Sequence, residues 1–269
     1  MSERRRVAVI GATGIAGQQF LAALAGHPWF DVVLLAASER SAGKRYADAI
    51  RDAKTGARRW WCADEPPAAV LDLPVENGDG LDVRGVDIVF SAVESDAARV
   101  LEPQCAKTAA VLSTASAFRY DDDVPILVPG VNLARETGKI LDTTFPVSAT
   151  CTRAAVTEGH TEAVTVSLGT GATAAEVADA FRAFGAEFTR LRLPSSPRRL
   201  ITVHDDPFRP QPRLDRDADG GMTTSVGRIR DDPALEHGLR YVLVSHNTRM
   251  GAAKGAVLTA EWLLTAGYI

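Results

Sequence analysis

The chain has 269 residues, 46% of them hydrophobic and 24% charged, a balance that suits a soluble globular protein long enough for two modest domains or one large one. A net charge of −4 gives no overall pull toward nucleic acid or an anionic membrane, and no window is apolar over the length of a membrane span. The N-terminus Met1-Ser-Glu-Arg-Arg-Arg6 has no apolar leader with a cleavage site, and Cys62, Cys105 and Cys151 are odd in number and far apart, which favours reduced thiols in a cytoplasm over disulfides and shows no metal-ligand spacing.

The apolar run Val7-Ala-Val-Ile10 ends in Gly11-Ala-Thr-Gly14-Ile-Ala-Gly17, and a helical pattern follows from Gln18 to Ala25, stopped by Gly26 and Pro28. Strand, glycine turn and helix in this order are the context of a dinucleotide-binding fingerprint. Gly11 permits the tight turn, Gly14 lets the backbone approach a pyrophosphate, and Gly17 lets the helix lie close on the strand. The free N–H groups at the helix N-terminus then face the phosphates. A second run, Val32 to Ala37, lies at the distance of a βαβ crossover and leads into Ser38-Glu-Arg40-Ser41-Ala-Gly-Lys44. An acid here suits the ribose hydroxyls of NAD, as Glu39 would; Arg40 between two hydroxyls favours the 2′-phosphate of NADP. A plain polar loop is the alternative.

From Tyr46 to Asp82 the pattern weakens and carries no chemistry. Val86 to Ala92 reads as a third buried strand, whose small terminal residues Ser91 and Ala92 leave room for a ligand at its C-terminal end. A helix from Ser95 to Lys107 with Ser95 as N-cap, a strand Ala110 to Ser113, a loop Thr114 to Arg119 and an apolar run Val124 to Val128 lead to Pro129-Gly130-Val131-Asn132.

Beyond Asn132 the character changes. Val164, Val166 and Leu168 alternate with Thr165, Ser167 and Thr170, as in a half-buried strand. A helix is expected from Ala174 to Phe188. Alternating segments Ser225 to Ile229 and Arg240 to Ser245 complete a mixed or antiparallel sheet, and a helix from Gly251 to Leu264 closes the chain. Pro194 to Pro212 reads as a long Pro/Arg-rich excursion that covers a partner or lines a site. The stretch from Cys151 to Val164 is the densest in reactive groups. Arg153 and His160 are seven residues apart, on opposite faces of an unbroken strand, so a shared site needs a bend at Thr157-Glu158-Gly159. Brought together, Arg153 can clamp a carboxylate through two parallel hydrogen bonds and His160 can move a proton near neutral pH; an exposed arginine and a loop histidine are the alternative.

Through Gly11 to Gly17, His27-Pro-Trp-Phe30, Ser38 to Tyr46, Ser113-Thr-Ala-Ser-Ala-Phe-Arg119, Gly159-His-Thr-Glu162, Gln211-Pro-Arg-Leu-Asp-Arg-Asp217 and His246-Asn-Thr-Arg-Met-Gly-Ala-Ala253, the chain resembles the aspartate-semialdehyde dehydrogenase family, most closely its archaeal and fungal branch. The resemblance implies an α/β protein. A Rossmann-like NADP-binding domain over 1–132 would be completed by a returning C-terminal helix, 249–269. A second, reduced α/β domain over 133–248 would supply the substrate site and the interface of a homodimer. It further implies His160 as acid/base, Arg153 as carboxylate clamp, Arg119 on the phosphate side and Glu162 near the substrate. Gly11, Thr13, Gly14, Ile15, Ser38, Arg40, Ser41, Ser91 and Ala92 would line the NADP site, with Asn247 near the nicotinamide.

In that family a cysteine in an Asn-Cys-Ser/Thr motif attacks the aldehyde, hydride passes to NADP, and phosphate releases the resulting thioester. Here no cysteine follows an asparagine. Pro129-Gly130-Val-Asn132 runs within a few residues into Lys139 and then Val147-Ser-Ala-Thr-Cys151-Thr-Arg153. Gly130 replaces the family's glutamate and Lys254 a glycine. Cys151 matches a strand cysteine beside the clamp arginine, not the nucleophile. Three functions follow: an NADP(H)-dependent reductase of a small carboxylate-bearing carbonyl or imine that works without a thioester, an aspartate-semialdehyde dehydrogenase with a relocated cysteine, or a non-catalytic relative that binds NADP or a partner.

Overall fold

The computed structural model describes residues 4–125, 139–152 and 154–269. The chain forms two compact units, one running to Ala149 and resuming at Ala252–Ile269, the other spanning Thr150–Gly251.

In the first unit, β1 (Arg5–Ile10), β2 (Phe30–Ala37), β3 (Val75–Asn77), β4 (Ile88–Ser91) and β5 (Ala110–Ser113) form a sheet ordered β3-β2-β1-β4-β5, and every pairing is parallel. Parallel strands are covered on both faces, and the alternation of β1 shows it. Val7 and Val9 join Phe20, Phe30 and Phe90 on one side, while Ala8 and Ile10 join Leu101 and Cys105 on the other. The Phe20 and Phe90 rings stack at 5.1 Å. The first face is covered by α1 (Ile15–Ala23), with α2 (Tyr46–Ala49) and α3 (Ala68–Leu71) at its margin, and the second by α4 (Ser95–Cys105). Strand order reverses between β1 and β4, the switch point at which open α/β sheets bind ligands.

Two sequence expectations shift here. The first helix starts at Ile15 rather than Gln18, because Gly14 in extended conformation already serves as its N-cap. Ser95 is the first helical residue of α4 rather than its cap, which is Glu94; the Ser95 hydroxyl lies 2.8 Å from that of Ser116.

The closing helix returns to this unit, and His27 and its partner carboxylate hold it there. The buried His27 Nδ1 accepts the Trp29 and Phe30 N–H groups at 3.2 and 3.1 Å. Its proton is therefore on Nε2, which donates to the fully buried Glu261 carboxylate at 2.9 Å. Among the described residues no helix is long and apolar enough to cross a membrane.

In the second unit β6 (His160–Ser167), β7 (Ile201–His204), β8 (Thr224–Asp231) and β9 (Gly238–Ser245) are ordered β6-β9-β8-β7. The pairs β6/β9 and β8/β9 are antiparallel, β7/β8 parallel, so the sheet is mixed. One face carries α5 (Ala174–Ala183), whose Phe181 meets Tyr241 edge-on at 5.2 Å. A capping box between Thr173 and Glu176 starts this helix. The single helix expected to Phe188 is broken: Gly185, at φ +69°, turns the chain into a short α6 (Ala186–Arg190). The excursion from Pro194 to Pro212 is likewise not all loop, for it contains β7, and α7 (Pro212–Asp215) follows it.

Candidate active site

At the switch point the chain leaves β1 through Gly11, at φ +80°, whose N–H donates to the Ala36 carbonyl at 2.8 Å. A Cβ at Gly11 would lie 2.5 Å from the Ala92 oxygen, and one at Gly17 would lie 2.2 Å from the Gly11 oxygen. Gly11 takes the left-handed conformation of the tight turn and also permits the close approach of Ala92, and Gly17 lets α1 lie close on the turn. Gly14 caps α1 without a side chain, and Gly14 and Ile15 are exposed. First-turn N–H groups left open in this way form an anion site. At the end of β2, Ser38, Glu39 and Arg40 are exposed, and the buried Ser41 closes the turn with its N–H on the Ser38 carbonyl at 2.8 Å.

The segment that carried no chemical signal braces the glycine turn after β1. Gln18 is fully buried; its amide nitrogen donates to the Thr13 and Arg59 carbonyls at 3.2 and 2.7 Å, and its oxygen accepts from Trp61 N–H at 2.8 Å. The Tyr46 hydroxyl donates to the Ala12 carbonyl at 2.9 Å, and burial, with Cys62 nearby, pushes its ionisation well above the ordinary range. Ser91 differs from its expected aspect. It is fully buried, and its hydroxyl donates to Glu102 Oε1 at 2.6 Å, as does that of Ser113. Ala92 N–H pairs with the Ile10 carbonyl at 2.9 Å. Arg119 is half-buried, and Nη2 donates to the Thr114 carbonyl at 3.0 Å across its own loop.

In the second unit the bend required before His160 is present. Gly159 is buried at φ +112°, and a Cβ there would press on Pro212 and Arg216 at 3.2 and 3.4 Å. His160 then opens β6 opposite Ser245, with an exposed imidazole. Glu162, two residues on, shares its face of the strand and is half-buried; burial and this carboxylate raise the Tyr241 phenol. Asn247 Oδ1 accepts the Gly159 N–H at 2.8 Å, and Thr248 Oγ1 donates to Glu158 at 3.2 Å. The buried His246 ring accepts the Thr248 and Arg249 N–H groups on Nδ1, each at 3.3 Å. Burial holds its ionisation below the ordinary value, and Arg249 and Arg216 add to that effect against Glu158 and Asp217. Arg153, Pro129, Gly130 and Asn132 lie outside the described residues. Sequence reasoning missed Thr248 and Glu158, whose bond joins segments 90 residues apart and leaves no local spacing to read, and His246, whose bonds close its own turn.

An activated nucleophilic thiol calls for a cationic neighbour or a base within hydrogen-bond reach, and among the described residues neither Cys105 nor Cys151 shows one. Cys105 is buried on α4, and burial, then Glu102, raises its ionisation. Cys151 is exposed in chain outside any strand, unlike the strand cysteine it was matched to, and has no hydrogen bond among the described residues. Cys62 lies in the segment anchored by Gln18. Among the described residues no group of His, Cys, Asp and Glu could hold a metal ion.

Family models agree with this arrangement. Residues 6–140 match the semialdehyde dehydrogenase NAD binding domain, and residues 130–250 the semialdehyde dehydrogenase dimerisation domain. The chain belongs to the semialdehyde dehydrogenase family. Among its relatives, the aspartate-semialdehyde dehydrogenase of Methanothermobacter thermautotrophicus is 33% identical over 346 positions, covering 95% of this chain and 97% of that protein. That of Saccharomyces cerevisiae is 29% identical and covered throughout, as is this chain. The crystal structure of aspartate semialdehyde dehydrogenase with NADP from Candida albicans superposes with a TM-score of 0.86 at 27% identity, over 99% of this chain and 100% of that one. A match of 346 positions against 269 residues leaves at least 77 positions where this family member has no residue. It is a shortened member with both domains retained.

Proposed function

We propose that the chain is an NADP(H)-dependent oxidoreductase that reduces a small carboxylate-bearing carbonyl or imine without a covalent thioester. The reading is carried by one contrast: His160 stands open at the head of β6, while no cysteine follows an asparagine anywhere in the chain. The NADP-bound relative and the uncapped, glycine-lined start of α1 support the cofactor. Arg40, exposed beside Ser38 and Ser41, would meet the 2′-phosphate. The Gly11–Gly14 turn, Thr13 and Ile15 would receive the pyrophosphate, and Ala92 would leave room at the end of β4.

Bound NADPH supplies a hydride equivalent to the carbonyl or imine carbon. The chain then has to orient the substrate and supply one proton, a smaller task than thioester chemistry, which also needs a nucleophile and an acyl acceptor. His160 gives its proton to the oxygen or nitrogen as charge develops there. Arg153 clamps the substrate carboxylate through its two-pronged guanidinium, with Glu162 alongside, and Arg119 binds an anionic group. A homodimer through the second unit fits the family's dimerisation domain. It also fits the edge strand β6, one face of which exposes Thr161, Ala163, Thr165 and Ser167.

The relatives' common name favours a second reading, aspartate-semialdehyde dehydrogenase with a relocated cysteine, for which Cys151 is the candidate. One assay separates the two. Short carboxylate-bearing aldehydes, ketones and imines are offered with NADPH, with and without phosphate, and nicotinamide absorbance is followed. NADPH oxidation at a rate indifferent to phosphate is expected. NADP reduction by aspartate semialdehyde that requires phosphate would establish the second reading. NADPH binding without turnover of any substrate would mark a non-catalytic relative.

A further inference from the structure

The β6–β9 ladder ends at the pair His160 and Ser245. One residue further on β6, the Gly159 N–H has no strand partner; Asn247 Oδ1 takes it at 2.8 Å. Because the group it meets is a donor, the Asn247 oxygen and not its nitrogen faces Gly159. We propose that Asn247 is a positioning residue for His160: its side-chain carbonyl supplies the rung that the backbone ladder lacks, and so fixes the peptide from which the imidazole projects.

Three further observations support this. The Thr248 hydroxyl holds the Glu158 carboxylate at 3.2 Å, so adjacent residues of one turn grip adjacent residues of the other. That turn is itself closed by the His246 ring, which accepts the N–H groups of residues 248 and 249. Gly159, at φ +112° and packed on Pro212 and Arg216, has a backbone conformation that an ordinary strand hydrogen bond would not hold. The role differs from contact with the nicotinamide: it occupies the Asn247 oxygen with the Gly159 N–H of this chain.

The inference rests on His160 as proton donor, and the test separates the two ideas. Asn247→Asp keeps the acceptor and loses the donors; Asn247→Leu loses both, and Asn247→Ser, too short to reach, is its polar equivalent. With the best substrate, N247L and N247S are expected to lower kcat by about 100-fold, the scale of a misplaced reacting group, and to change KM for NADPH by less than about threefold. N247D is expected to stay within about fivefold of the parent kcat, a difference of the order of one hydrogen bond. Equal losses in N247D and N247L, or a loss confined to KM for NADPH, would overturn the positioning role. A readout independent of turnover is the imidazole signal of His160 in the NMR spectrum of the unliganded protein. It should move in N247L and N247S and hold its place in N247D. A His160 signal unmoved in N247L refutes the inference even if the parent protein turns nothing over, whereas a moved signal without turnover refutes only the reductase reading.

Discussion

Replacing His160 by alanine is expected to lower turnover of NADPH by about 10²–10⁴-fold, the range of a general acid, while NADPH affinity changes by less than about twofold. The split follows from placement. His160 belongs to the second unit, at the head of a strand in a mixed sheet. The glycine turn, the open start of α1 and the Ser38–Ser41 turn that would hold the nucleotide all belong to the first. Steady-state kinetics and a fluorescence titration of NADPH against the variant check both halves. Undiminished turnover would remove His160 from the chemistry, and weakened NADPH binding with normal kcat would make it a cofactor residue.

The largest expected loss of stability lies elsewhere, at Asp215. This carboxylate is 1% exposed. Arg209 grips it with Nε 3.0 Å from both oxygens and with Nη2 on one of them. The Gln211 N–H donates to it at 2.6 Å, and His204 Nε2 lies 3.3 Å away. Burial alone would push the carboxyl up, but these partners bring it below its ordinary value. Asp215→Ala leaves the Arg209 guanidinium, itself 30% exposed, without its anion. Breaking a fully buried pair by removing one partner costs about 3–5 kcal/mol; solvent reaching Arg209 lowers the expected loss to about 2–3 kcal/mol, still a large share of the stability of a typical domain. Urea unfolding should show that loss; a change below about 1 kcal/mol would mean the pair is solvated like a surface one. The sign with pH is fixed as well. A folded ionisation below the unfolded one gives stability that is complete above the ordinary carboxylate value and is lost as pH falls through the folded one. The parent protein should therefore lose acid stability that Asp215→Ala has already lost at neutral pH.

The parts of the fold that were legible are those with a local cause. Gly11 and Gly17 are demanded by close backbone approaches at the turn, β1, β2 and β4 are apolar runs with buried residues on both faces, and β5 is a half-buried apolar run at the sheet's edge. What escaped was set by distant partners. Ile201 to His204 is four residues long among prolines and arginines, and only pairing with β8 makes it a strand. The helix from Ala174 keeps its apolar period past Phe184, but Gly185 breaks it at a left-handed turn. Ser91 was read as a small residue that leaves room for a ligand at a strand end; its hydroxyl donates to Glu102 of the following helix. Asn247 was read by resemblance as a cofactor neighbour, while its bond to Gly159 spans 88 residues and has no trace in either segment.

The bend before His160 was legible because a glycine in a short polar interruption was needed to make any site there. The lack of an Asn-Cys pair was legible because it is a property of the sequence alone. Together they support the proposed reading, in which His160 donates the proton and no thiol takes part. The most direct measurement is the turnover of a variant in which Cys62, Cys105 and Cys151 are all replaced, by alanine at the buried Cys105 and by serine at the other two. Hydride transfer without a thioester predicts NADPH oxidation within about threefold of the parent rate, since no step of it passes through sulfur. A loss of more than about 100-fold in a folded, NADPH-binding variant would show that one of these cysteines is the nucleophile after all.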